Sequence, residues 1–158
     1  GLSFVPASPS YKEFQKADPE KLVEIFEHLD NMADFVIVDA PGGHGEEVNH
    51  ILKNCDESII VVNPTLSSAM EGLKVIEAAK QHNTIIAGIV LNMSNGGRHE
   101  LKPSEVTELL GYPLIANIRT HRKFRKALHR QTPLMYEFPY SRLSRQFKII
   151  AEHLNLQS

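Results

Sequence analysis

Three short stretches place a ligand-competent side chain at the end of an apolar run. Asp39-Ala40-Pro41-Gly42-Gly43 follows the run Phe35–Asp39 and joins a carboxylate to two glycines. A carboxylate there suits a hard cation, and glycine lets backbone approach a ligand closely. The competing reading is an aspartate that ends a strand before an ordinary turn. Asn63-Pro64-Thr65-Leu66-Ser67-Ser68 follows a second run, and Val90-Leu91-Asn92 closes a third on an amide. An amide both donates and accepts hydrogen bonds.

Other constellations carry less. Gly43-His44-Gly45 supplies part of a G-x-G-x-x-G dinucleotide turn, but Val48 stands where the third glycine belongs. The next run leads into Asn63-Pro64 instead of a ribose-binding acid. His44, Glu46, Glu47, His50 and Cys55 are close in sequence, yet His44 and His50 are six apart, not the helical four of a zinc-binding H-E-x-x-H. Ser67 lacks the setting of a nucleophile elbow and reads as a helix N-cap. No Gly-Lys pair occurs in these 158 residues. The phosphate loop G-x-x-x-x-G-K-[ST] is therefore not among them, and the chain alone is expected to bind ATP poorly.

Five apolar, β-branched runs are candidates for the strands that position these groups: Leu2–Pro6, Phe35–Asp39, Ser58–Val62, Ile85–Leu91 and Leu114–Ile118. Most are apolar at consecutive positions, as in strands buried on both faces. Helical periodicity fills the intervals. Pro19–Met32 aligns Leu22, Ile25, Phe26 and Leu29, and Ser68–Gln81 aligns Leu73 and Ile76. Pro103 opens a shorter helix that stops at Gly111, and His121–Arg130 and Ser141–Leu154 follow. Phe124, Ala127 and Leu128 form a narrow apolar stripe in the first of these two. Alternating strands and helices predict one α/β domain over residues 1–158, with a mostly parallel sheet covered by helices. In such sheets ligands bind beyond the carboxyl ends of the strands, where Asp39 and Asn92 fall.

Bulk properties narrow the class. No apolar run approaches the length of a membrane span, and a soluble, cytoplasmic protein is expected. A single cysteine, Cys55, excludes an internal disulfide and suggests a buried structural thiol. The net charge of −2 hides an asymmetry: residues 1–97 carry 6 Lys/Arg against 14 Asp/Glu, residues 98–158 carry 11 against 5. Such a split marks either a surface for an acidic partner, DNA included, or complementary faces within an oligomer.

The order of these pieces resembles the MinD/ParA-type (deviant Walker) group of P-loop ATPases along nearly the whole chain. Phe4-Val5-Pro6-Ala7-Ser8 resembles the family's strand ending in Pro-Ala-Ser. Asp34–Gly43 is similar to its Walker B and switch II segment, and Asn63–Ser68 to the Asn-Pro-x-x-Ser-Ser that opens its next helix. Val90-Leu91-Asn92 resembles the strand whose terminal Asn contacts adenine, Leu109–Ile118 the following helix and strand, and Gln131-Thr132-Pro133-Leu134 a Gly-x-Pro-apolar turn.

The resemblance implies ATP and Mg²⁺ as ligands. Asp39 is then the catalytic-site acid that organises Mg²⁺ through water, Gly42 and Gly43 belong to the switch that senses the γ-phosphate, and Asn92 meets the adenine edge. Arg119 joins the nucleotide-binding set at the next strand end. There the family carries a proline and an acid, whereas this chain has Ile118-Arg119-Thr120-His121. The resemblance also implies an ATP-dependent dimer, slow hydrolysis, a partner or activator protein, and a role in positioning a division site, chromosome, plasmid or other cargo. Family members carry their phosphate loop on a strand preceding the Pro-Ala-Ser segment. The natural protein is thus expected to be longer, to borrow that strand from a second polypeptide, or to have lost nucleotide chemistry. The isolated chain is expected to be inactive as an ATPase. A basic amphipathic membrane anchor of the kind found in many MinD proteins is not expected after Leu154. The alternative function is a non-enzymatic module that holds DNA or an acidic protein with its basic C-terminal half.

Overall fold

A computed structural model describes residues 2–6 and 21–155. The chain divides into two units, residues 1–40 and 41–158.

In the first unit, helix α1 (Leu22–Asp30) ends where Asn31 donates its side-chain amide to the Glu27 carbonyl at 2.9 Å. Phe26 and Leu29 are half-buried, while Ile25 is exposed. The start expected at Pro19 lies outside the described residues, as do Ala7 and Ser8. Two expected strands do not form: neither Leu2–Pro6 nor Phe35–Asp39 joins a ladder among the described residues. Phe4 is 84% exposed and Ile37 84%. Consecutive apolar residues report a segment suited to burial on both faces, but a strand exists only with a hydrogen-bonding neighbour, and here neither run has one.

The second unit is built on a parallel sheet of three strands in chain order, β1 (Glu57–Val62), β2 (Ile85–Ser94) and β3 (Leu114–Arg119). Helix α2 (Glu46–Lys53) precedes it. Helices α3 (Leu66–His82) and α4 (Pro103–Leu110) are the crossovers between the strands, and α5 (Arg122–His129), α6 (Leu134–Glu137) and α7 (Arg142–Asn155) follow β3. Alternation along β2 divides the core. Ile89 and Leu91 pack with Ile60, Val62, Ile76, Val106 and Leu110 on one face. Val90 packs with Ala116, Ile118 and Leu143 on the other, joined by Phe124, Phe147 and Ile150. The sheet is thus covered by helices on both faces, and Val48 and Leu52 of α2 lie against Ala79 of α3.

Local chemistry sets the boundaries. α4 opens with Pro103 in its first turn, Glu105 accepts the Lys102 amide at 2.6 Å, and Gly111 closes it at φ +74°. The N-cap of α3 is Thr65, not Ser67: Thr65 Oγ1 accepts the Ser68 amide at 3.2 Å, while Ser68 Oγ accepts the Asn63 amide at 2.9 Å. The helix therefore begins a few residues before the expected Ser68, because the hydroxyls at 65 and 68 divide the capping between them. α6 is one turn that no apolar period announces. On α5, Ala127 is buried and Phe124 half-buried, but Leu128 is 80% exposed, so the apolar stripe is narrower than expected. Cys55 is half-buried, not enclosed.

Candidate functional site

Because the three strands are parallel, their carboxyl ends lie along one edge, and the residues after Val62, Ser94 and Arg119 share it. At the β2 end the ladder is irregular. Asn92 is paired with Ile118 and Ser94 with Arg119, and Met93 between them is an extra residue at φ +57°. A left-handed backbone at a non-glycine residue is costly, on the order of 1 kcal/mol, and persists only where neighbours fix it. Thr120 and Asn95 fix this one, donating Oγ1–H and Nδ2–H to the Met93 carbonyl at 3.1 and 3.2 Å. The Thr120 amide adds a bond to the Ser94 carbonyl at 3.0 Å.

The bulge sets the aim of Asn92. Its Oδ1 accepts the Met93 amide at 3.0 Å, which orients the carboxamide, and its Nδ2 has no acceptor among the described residues. A half-buried amide held in one orientation with an unused donor can pair with an acceptor on a planar ligand. Beneath it, buried Ser94 donates to Asn117 Oδ1 at 2.5 Å, and the Asn117 amide donates to Gln146 Oε1 at 2.9 Å, tying the edge to α7. Arg119 is exposed at the end of β3.

The glycine turn precedes α2. Gly43 sits at φ +94°, a conformation that favours glycine, and a Cβ placed on Gly42 or Gly43 would meet nothing within 4 Å. The turn is tethered: His44 Nδ1 lies 3.2 Å from Glu71 Oε2 on α3, and Lys74 donates to Glu71 Oε1 at 3.0 Å. The Lys74 and His44 hydrogen bonds hold the Glu71 carboxyl below its ordinary range. His44 is thereby engaged with a carboxylate, and no group of three His, Cys, Asp or Glu suited to a metal occurs among the described residues. Asp39 belongs to the first unit, where it is exposed and makes no ion pair among the described residues.

Glu100 organises the loop after β2. Its Oε2 accepts the Asn95 and Gly96 amides, both at 2.8 Å, and its Oε1 accepts Asn95 Nδ2 at 3.1 Å. The Asn95 amide is the largest cause lowering its pKa. Glycines, an asparagine and a strand-end amide are visible in sequence, but Thr120, Glu71 and Glu100 are not. They act through partners 27, 27 and 5 residues away that no local pattern indicates.

Comparisons with known proteins agree with this arrangement. Residues 21–155 match the ParA family model described as NUBPL iron-transfer P-loop NTPase. An ATP-binding protein of Methanocaldococcus jannaschii is 32% identical over 98% of this chain and 58% of its own length. The structure of the Pyrococcus furiosus cell division ATPase MinD superposes with a TM-score of 0.87 at 25% identity, over 96% of this chain and 64% of that one. The septum site-determining protein MinD of Pyrococcus horikoshii, solved with Mg-ADP, gives 0.85 at 26% identity, over 93% and 60%. The chain thus spans somewhat more than half the length of the relatives it matches. With a family model matched over most of its residues and an α/β fold shared with MinD, this chain belongs to the MinD/ParA-type family of P-loop NTPases.

Proposed function

We propose that this chain is the base-selecting and switch portion of an ATP-dependent switch that positions or partitions a cargo, cycling between partners as ATP is bound and hydrolysed. The observation that carries this reading is the oriented carboxamide of Asn92. Adenine offers an acceptor and a donor on one edge; Asn92 Nδ2, with no acceptor among the described residues, meets the first, and the lone pair of Oδ1 not used by the Met93 amide meets the second. Arg119, exposed at the next strand end, stands ready to contact the same nucleotide.

Asp39 fits Mg²⁺ as an outer ligand: it is an exposed carboxylate that makes no ion pair among the described residues, suited to a cation that keeps most of its water. The ion, when bound, neutralises phosphate charge. Gly42 and Gly43 supply a turn with open space around it, able to change conformation when a phosphate arrives. The His44–Glu71 contact ties that turn to α3, so a change in the turn has a helix to act on. A dimer, a partner or activator protein, hydrolase activity and a cytoplasmic setting complete the proposal. No helix among the described residues is long and apolar enough to cross a membrane.

Adenosine, which has no phosphates, tests the base site alone. In an NMR titration of the purified chain, millimolar adenosine is expected to shift the Asn92 side-chain amide while guanosine leaves it in place. Asn92→Ala is expected to weaken the remaining backbone response about tenfold. Equal response to both nucleosides, or none at 10 mM (roughly the weak limit for one small contact set), would overturn the reading.

A second reading, a module that holds DNA or an acidic protein, is favoured by one observation. Arg122, Lys123, Arg125 and Lys126 of α5 make no ion pair among the described residues. Charge reversal at all four is expected to abolish binding to duplex DNA, and unchanged affinity would remove that reading.

A further inference from the structure

The structure assigns a phosphate-binding site to the pocket between α5 and the turn after α6, formed by His121, Arg122, Lys123 and Lys126 over the ring of Phe138. The pocket has a volume of about 590 Å³, within the range of small-molecule sites.

The cations are gathered and ordered there. Lys123 Nζ lies 5.1 Å and Lys126 Nζ 5.7 Å from the centroid of the same Phe138 ring. Both ammonium groups thus gain from one aromatic ring while repelling each other along the helix, where residues three apart are neighbours. The Phe138 floor is itself anchored. Fully buried Ser144 donates to the Phe138 carbonyl at 2.6 Å, and the Phe138 amide donates to Leu134 at 2.8 Å.

Among the described residues no carboxylate is paired with these cations. The nearest acid in sequence, Glu137, is paired with Arg130, and no acidic residue occurs in α5. Arg122 and Lys123 occupy the first turn of that helix, where the macrodipole already presents positive potential. An anion in the pocket relieves both repulsions.

His121 supplies a directed donor. Its Nδ1 accepts the Lys123 amide at 3.1 Å as the N-cap, so the neutral ring carries its proton on Nε2. Guanidinium, two ammonium groups and an imidazole N–H around one space match the several oxygens of a phosphate better than the two of a carboxylate. The site therefore reads phosphate, and its source is either a small phosphorylated molecule or the backbone of a nucleic acid.

The test is an NMR titration of the chain with inorganic pyrophosphate at fixed ionic strength. Saturable shifts confined to residues 121–126 and to Phe138 are expected. Lys123→Gln with Lys126→Gln is expected to weaken binding tenfold or more, since each charged hydrogen bond is worth about that much. His121→Asn, which keeps a capping oxygen but removes the Nε2–H donor, should weaken it severalfold. Lys148→Gln removes an exposed charge from α7 but none from the pocket, and should change affinity less than about twofold, the level of a screened surface charge. An equal loss in Lys148→Gln, or no saturation, would overturn the site. Adenosine 5′-diphosphate and a short DNA duplex serve as competitors. Displacement of pyrophosphate by the nucleotide alone identifies a small ligand, and displacement by the duplex identifies a nucleic-acid backbone. Failure of both to displace it would overturn the phosphate assignment in favour of a generic anion patch.

Discussion

Thr120 donates its hydroxyl to the carbonyl of Met93, 3.1 Å away, and so connects the residue after β3 to the bulge that aims Asn92. Thr120→Val keeps the shape and removes the bond. A loss of about 1 kcal/mol is expected, lowering the melting temperature by roughly 2–4 °C in a chain of this length. An unchanged melt, read by circular dichroism, would show that the bulge is held without it.

Gly88 lies inside β2 at φ +150°, where a Cβ would sit 2.5 Å from Ile115 Cγ1 and 3.1 Å from the Pro113 carbonyl oxygen. Gly88→Ala is therefore expected to destabilise by about 2 kcal/mol or more. Ile115→Ala in the same chain should restore part of the loss, since it clears the nearer contact. Urea denaturation of both singles and the double measures the coupling, and strict additivity would place the strain in the backbone alone.

The loop after β2 should loosen in acid. Hydrogen bonds from Asn95 and Gly96 depress the folded-state pKa of Glu100, so the order it confers is present above its unfolded value. That order is lost as pH falls through the depressed folded value. Amide exchange at Asn95 and Gly96 is expected to accelerate on acidification, relative to neighbouring amides in β2. In Glu100→Ala the two amides should exchange fast at every pH.

Cys55 should be a slow nucleophile. Burial, and secondarily the charge of Asp56, push its thiol pKa up, leaving less thiolate at neutral pH. Reaction with a disulfide reagent is expected to be slower than that of a free thiol and to accelerate in Asp56→Asn. A rate equal to that of the free thiol would mean that burial does not protect it.

Legibility in the sequence followed the range of the interactions. β1, β2, β3 and α4 were readable because apolar periodicity and the Pro103/Gly111 punctuation are local. Thr65 was missed as the cap of α3 because three hydroxyls lie within four residues and only geometry chooses among them. Phe35–Asp39 reads as a strand, yet pairing depends on a neighbour that periodicity does not reveal. Asn92 reads as the residue after an apolar run that ends at Leu91, but β2 continues to Ser94, and the orientation of Asn92 rests on Met93, whose left-handed backbone no glycine announces. The cluster over Phe138 was legible as charge, but the ring that gathers the lysines is 12 or more residues further along the chain.

The position of β2 has a last consequence. β1 and β3 do not pair with each other, and each forms its only ladder among the described residues with β2. Neither outer strand can be exchanged for a hairpin partner, since both ladders are parallel and each needs its crossover helix. The sheet of the second unit therefore has a keystone: while β2 holds, either flank can open by itself, and when β2 goes both ladders are lost in one cooperative step.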